Sequence, residues 1–276
     1  MANYLRPHRL EEALGALQQP FTVLAGGTDF YPARVGRTID EDVLDISAIA
    51  DLRGISATST GWRLGATATW GELIAADLPP LFDGLKQAAR EVGGRQIQNA
   101  GTIAGNLCNA SPAADGVPPL LALDAEVEIA NRSGSRKVPL AAFITGNRRT
   151  VLRPGELVVA VHVPSPAHDA RSAFLKLGAR RYLVISIAMA AATLEISGGR
   201  VIRARVAVGA CSAVAQRLPA LEAALAGVPV DGALGTKVEP EHLAPLAPLD
   251  DIRGSAGYRM DAALTLLKRL LGSFAP

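Results

Sequence analysis

Apolar positions in the first part of the chain alternate between helical spacing and short strand-like runs. Leu10, Ala13, Leu14 and Leu17 recur a turn apart, with Glu11 and Glu12 near the positive end. They predict a helix between Pro7 and Pro20. Phe21 to Ala25 then reads as a short buried strand and Val43 to Ile46 as another. Arg53 to Ala68 is strand-like, broken by Gly54, Gly61 and Gly65, and Trp62 to Ala66 alternates as a half-buried strand does. Thr69-Trp-Gly-Glu72 has the spacing of a capping box and predicts a helix through about Ala76. Leu81, Leu85, Ala88, Ala89 and Val92 predict a second helix, stopped at Gly93-Gly94. Leu120 to Leu123 predicts a short helix, and Glu126 to Ile129 and Leu157 to Val163 predict strands.

Pro164, Pro166, His168 and Asp169 form a polar break, which sets the expected boundary between residues 1–168 and 169–276. Beyond it come three β segments: Ala173 to Leu177, Val184 to Glu195 and Arg200 to Ala210. Gly198-Gly199 joins the last two as a hairpin. Two helices follow, one holding Leu218, Leu221 and Leu225, the other running from about Tyr258 to Leu271. The second part is therefore expected as a three-stranded sheet with helices on one face, an α+β unit.

Composition narrows the function. The net charge of +2 across 276 residues gives no basic footprint for nucleic acid or an anionic membrane. Aromatics at 4% weaken stacking on bases, while 49% apolar residues are ample for a core. No apolar run is long enough to span a bilayer, and Met1 to Arg6 does not read as a signal peptide. Cys108 and Cys211 cannot hold an iron–sulfur cluster alone, and His8, His162, His168 and His242 lack zinc spacing. The expectation is a cytoplasmic chain without a metal of its own.

Two glycine-rich stretches stand apart from this pattern. Gly101 to Asp115 is nearly free of large apolar residues. Gly101 and Gly105 allow close backbone approach, while Thr102, Asn106, Asn109 and Ser111 add hydrogen-bonding groups. Such concavities suit phosphate oxygens; Asp115 is an acceptor suited to a sugar hydroxyl or a ring N–H. Some 75 residues earlier, the strand from Phe21 stops at Gly26-Gly27-Thr28-Asp29. Alone this reads as an ordinary turn, because isolated glycine pairs are weak signals. Asp115 alone is equally a helix cap, and Lys176 taken alone reads as a surface lysine at a strand end. Neither stretch is the dinucleotide fingerprint of a βαβ unit. Two turns converging on one diphosphate would account for both.

At this point the chain resembles a known family. Val23-Leu-Ala-Gly-Gly-Thr-Asp-Phe30 and Gln96 to Asn106 look like the two FAD-binding segments of the xanthine dehydrogenase and carbon monoxide dehydrogenase flavoproteins. These are the medium subunits of the molybdenum hydroxylases. Asn109 to Asp115 and Phe174 to Arg181 continue the match, which spans nearly the whole chain. The resemblance implies an α+β fold. A two-subdomain α/β FAD-binding domain of the PCMH type is followed by a C-terminal domain of the carbon monoxide dehydrogenase flavoprotein type. It implies that Val23, Leu24, Ala25, Gly26, Gly27, Thr28, Asp29 and Phe30 hold a non-covalent FAD together with Gly101 and the turn Thr102, Ile103, Ala104, Gly105 and Asn106. Ser111 joins them, Asp115 lies by the flavin or its ribityl chain, Leu152 lines the site, and Lys176 approaches from the C-terminal domain.

The implied function is electron transfer within a complex. A large molybdopterin-binding subunit oxidises the substrate, a small subunit with [2Fe–2S] clusters passes electrons on, and the assembly is a heterotrimer or its dimer. No residue here is required as nucleophile or general base. The alternatives are a self-sufficient FAD-dependent reductase on the related fold, and a protein that kept the fold and lost FAD. Ala104-Gly105 stands where the family often has Gly-Gly. Tyr182-Leu-Val-Ile185 follows Arg180-Arg181 where xanthine dehydrogenases of eukaryotes carry an acidic loop over the flavin. Either this apolar stretch disfavours NAD as acceptor, or it is simply the start of the strand Val184 to Glu195.

Overall fold

The computed structural model describes residues 2–181 and 183–275. The first layer is a small parallel sheet of β1 (Tyr4–Leu5), β2 (Thr22–Leu24) and β3 (Val43–Asp45), in the order β1-β3-β2. Helix α1 (Leu10–Ala16) lies between β1 and β2 in sequence and buries Ala13 and Leu14. The second layer is an antiparallel sheet of β4 (Ile55–Thr58), β5 (Gly61–Gly65), β6 (Glu126–Asn131), β7 (Gly134–Pro139) and a long strand, Leu157–Pro164, at its centre. That strand follows a small hairpin of β8 (Ile144–Gly146) and β9 (Arg149–Thr150) and is β10. The sheet order is β4-β5-β10-β6-β7. Leu157 to Val161 are all buried, as expected for a strand covered on both faces.

A run of helices carries the glycine-rich region. The capping box is present: Thr69 N donates to Glu72 Oε2 at 2.7 Å and Glu72 N to Thr69 Oγ1 at 3.1 Å, opening α2 (Trp70–Ala75). Helices α3 (Asp83–Glu91), α4 (Arg95–Ala100), α5 (Ile103–Asn109), α6 (Val117–Ala122) and α7 (Leu140–Phe143) follow. Trp70 is buried beneath the glycines. A Cβ on Gly101 would meet its ring at 3.4 Å and one on Gly116 at 2.5 Å.

The C-terminal sheet corrects one expectation. It has four strands: β11 (Asp169–Leu177), β12 (Ala188–Ser197), β13 (Arg200–Gly209) and the two-residue β14 (Gln216–Arg217). A two-residue edge strand carries too few positions to show a period of two. The helices of this part lie on one face, as expected, while helices from the first part cover the other. On one side α8 (Pro219–Leu225) and α9 (Ala256–Gly272) close an apolar core over Leu194, Val206 and Val208. On the other, α3 and α6 pack on β11, β12 and β13.

That second face fixes the cofactor region. Ser172, Phe174 and Lys176 alternate on β11 and share one side of it. Gly84 N of α3 donates to Ser172 Oγ at 2.8 Å, Ser172 Oγ donates to Leu81 O at 2.6 Å, and Phe174 N donates to Gln87 Oε1 at 2.7 Å. A Cβ on Gly84 would lie 2.9 Å from the Ala173 backbone, so helix and strand are in direct backbone contact. Arg205 Nε donates to Ala122 O at 3.0 Å, and Arg217 Nη1 to Leu121 O at 3.1 Å and Asp124 Oδ1 at 2.8 Å. These guanidinium groups satisfy the open carbonyls at the end of α6, whose other end follows Asp115.

Candidate cofactor-binding site

β2 runs directly into Gly26-Gly27-Thr28-Asp29-Phe30. Gly27 has φ +73°, a left-handed conformation that a side chain resists. Gly26 lies so close to the second motif that a Cβ there would sit 1.8 Å from the Ala100 carbonyl oxygen. The backbone N–H groups of Gly26, Gly27, Thr28, Asp29 and Phe30 meet no acceptor among the described residues. Consecutive open donors around one left-handed residue make a concavity suited to an anion.

The second motif lies against the first. Its expected turn, Thr102 to Asn106, is instead the first turn of α5. Thr102 is the N-cap, accepting from Gly105 N at 3.0 Å. The helix escaped the pattern because its residues are small and only Ile103, Ala104 and Leu107 face the core. Gly105 is explained by this cap, since a Cβ would lie 2.6 Å from Thr102 Oγ1. The N–H groups of Thr102 and Ala104 also find no acceptor among the described residues. Asn109 Nδ2 donates to Asp29 Oδ1 at 2.9 Å, tying the two motifs together across 80 residues.

One cavity of about 1440 Å³ runs along both motifs. Val23, Ala25 and the turn Gly26 to Phe30 line it, as do Gly101, Thr102, Ala104, Gly105, Asn106, Ser111, Asp115 and Leu152. Leu24 and Ile103 do not; both are buried behind its wall. Lys176 reaches the wall through Asp115. Its Nζ donates to Asp115 Oδ2 at 2.8 Å, to Glu91 O at 3.3 Å and to Val184 O at 3.3 Å. Ser186 Oγ donates to Asp115 Oδ1 at 2.6 Å. The lysine side chain is only 5% exposed, so the surface reading fails. The cap reading fails too: α6 starts after Gly116 with no side-chain cap. Burial raises the Asp115 carboxyl above its ordinary range, and Lys176 pulls in the opposite direction.

The loop after Arg181 is not the start of a strand, because β12 begins only at Ala188. Tyr182 lies outside the described residues; Leu183 and Ile185, 57% and 54% exposed, border the cavity. Cations hold this loop by its carbonyls: Arg180 Nε donates to Leu183 O at 3.1 Å, Lys176 to Val184 O, and Arg259 Nη1 to Ile187 O at 2.5 Å. Arg259 also donates to Ala210 O at 3.0 Å and Asp251 Oδ1 at 2.7 Å, bringing the segment 249–253 to the cavity rim. Neither that segment nor Asn147-Arg148, also on the wall, had a signal in the sequence pattern. Their neighbours there lie far away along the chain. Cys108 is exposed on the cavity wall. Among the described residues no cluster of three or more His, Cys, Asp or Glu could hold a metal. No described helix is long and apolar enough to cross a membrane.

Residues 1–166 match the family model for the FAD binding domain in molybdopterin dehydrogenase. Residues 173–274 match that for the CO dehydrogenase flavoprotein C-terminal domain. A putative xanthine dehydrogenase FAD-binding subunit of Escherichia coli K12 is 30% identical over 98% of this chain and 94% of its own length. The carbon monoxide dehydrogenase medium chain of Afipia carboxidovorans is 31% identical over 97% of this chain and 94% of its own. Among solved structures, a carbon monoxide dehydrogenase chain of Hydrogenophaga pseudoflava superposes with a TM-score of 0.88 at 29% identity. That match covers 100% of this chain and 98% of the other.

Proposed function

Given that this chain belongs to the FAD-binding subunits of the molybdopterin dehydrogenases, a group of oxidoreductases, we propose that it carries electrons from an iron–sulfur partner subunit to an external acceptor. The observation that carries this reading is the convergence of two donor-rich motifs on one cavity. The open N–H groups of Gly26 to Phe30 and of Thr102 and Ala104 offer a cradle for two phosphates. The cavity volume also exceeds the roughly 300–1,000 Å³ of sites for drug-sized ligands, as an extended dinucleotide requires.

In this reading Val23 to Phe30, Gly101 to Asn106 and Ser111 hold the dinucleotide, with Leu24 and Ile103 supporting from the core. Asp115 and Leu152 face the rest of the cofactor, and Lys176 sets the position of Asp115. When bound, a flavin accepts electrons singly and releases them singly or in pairs. The chain's own residues bind, orient and shield it. The domain boundary at 168/169 is supported by the two family matches, which leave only residues 167–172 between them. The partners are a large molybdopterin-binding subunit and a small [2Fe–2S] subunit, in a heterotrimer or its dimer in the cytoplasm.

The exposed, apolar Leu183 and Ile185 at the cavity rim favour a quinone, dye, oxygen or protein acceptor over NAD, because the loop itself, Leu183 to Ile185, carries no carboxylate. The isolated chain is expected to accept electrons from artificial donors and to oxidise no organic substrate. In the substrate-reduced complex, stopped-flow reoxidation should be faster with quinones or dyes than with NAD. Substrate turnover by the isolated chain would reject the subunit role. Fast, saturable reoxidation by NAD alone would reject the acceptor assignment.

A further inference from the structure

Several arginines line the cavity, and most already have a carboxylate partner. Arg34 pairs with Glu41, and Arg253 and Arg259 both pair with Asp251. Arg148 is different: among the described residues no carboxylate lies within ion-pair reach of it, and its guanidinium donates only to the side chain and carbonyl of Asn109. It sits at the tip of the β8–β9 hairpin with φ +59°, uncommon for a residue with a side chain. That conformation is held by Arg148 N, which donates to Ala110 O at 2.9 Å at the end of α5. Asn109 in turn donates to Asp29 within the open-donor turn. The guanidinium is thus two hydrogen bonds from the Gly26 to Phe30 concavity, on the wall of the same cavity.

We propose that Arg148 is a cofactor-binding residue whose charge serves the diphosphate of FAD, with Asn109 keeping the guanidinium at the junction of the two motifs. This rests on the reading that the cavity holds FAD. A backbone concavity supplies partial charges, whereas a diphosphate carries full negative charge, and a forked guanidinium matches phosphate oxygens. Arg148, which has no acid partner among the described residues and is hydrogen-bonded toward the open-donor turn, can supply that full charge beside the two motifs, whereas Arg253 and Arg259 share Asp251 at the opposite loop.

The test is fluorescence titration of the full chain, freed of flavin, with FAD and with riboflavin, which lacks phosphate. Arg148→Gln should weaken FAD about 10- to 100-fold, the span of a charge-assisted hydrogen bond. Riboflavin affinity should stay the same, and the salt dependence of FAD binding should flatten. Arg148→Lys keeps the charge and should keep the salt dependence, with a smaller loss. Arg148 is exposed on a two-stranded hairpin, so both variants should melt as the parent does. Unchanged FAD affinity in Arg148→Gln, an equal loss for FAD and riboflavin, or a lysine variant as weak as the glutamine one would overturn the assignment. A parent chain that binds riboflavin and FAD equally would instead overturn the diphosphate reading beneath it.

Discussion

Gly26→Ala should yield a chain that retains no FAD on purification. The new methyl would lie 1.8 Å from the Ala100 carbonyl oxygen, and the obstructing atom is backbone, which cannot rotate away. Forcing atoms into a packed contact costs on the order of 1–3 kcal/mol, and here the relief is separation of the two motifs that form the cradle. Gly27→Val tests the same turn differently. Its Cβ would meet the Tyr31 ring at 2.6 Å, but Tyr31 is a half-exposed side chain that can move aside. What remains is the strain of φ +73° on a β-branched residue, again on the order of 1–3 kcal/mol. That strain should reshape the open donors while the chain still folds. The measurement is bound flavin per chain beside a thermal melt. A Gly27→Val chain holding full FAD with unchanged affinity would reduce the turn to a structural role.

The second large effect is expected at Asp115. Asp115→Ala strands a lysine that is only 5% exposed, and breaking a buried pair costs about 3–5 kcal/mol. Denaturant unfolding should show that loss; one below about 1 kcal/mol would contradict the burial of Lys176. The sign of the Asp115 shift adds a further expectation. Burial is the leading cause and raises its pKa, so keeping the carboxylate charged in the folded chain has a net cost. The corresponding stability is fully present below the ordinary carboxylate pKa and is lost as pH rises through the raised one. The pair therefore serves position more than stability. Replacing both residues, Asp115→Leu with Lys176→Met, should restore stability to the parent level or above. The loop carbonyl of Val184 and the Ser186 hydroxyl would lose their partners, so FAD affinity should still fall.

Elements whose signals are local could be read from the sequence: the Thr69–Glu72 capping box, the apolar run of β10 and the Gly198-Gly199 hairpin each rest on a few adjacent residues. Helix α5 was hidden because its small residues give no apolar period; just before it, Ala100 and Gly101 come against Gly26. The covered second face of the C-terminal sheet was hidden because α3 and α6 come from the other part of the chain. The site residues came from motif resemblance. What the resemblance lacked was the cross-chain geometry: Lys176 buried against Asp115, and Asp29 joined through Asn109 to Arg148, partners separated by 39 to 80 residues.

The central claim is that this chain is the FAD-holding member of a molybdenum-containing complex. Its most direct test is tagged purification from the native cell under mild conditions, counting subunits, flavin, molybdenum and iron. The account predicts two further subunits, a large one with molybdenum and a small one with iron in the ratio of two [2Fe–2S] clusters. It also predicts one FAD per copy of this chain, released into the supernatant on denaturation. A chain that purifies alone with FMN, with flavin that stays attached after denaturation, or with no flavin at all would contradict it.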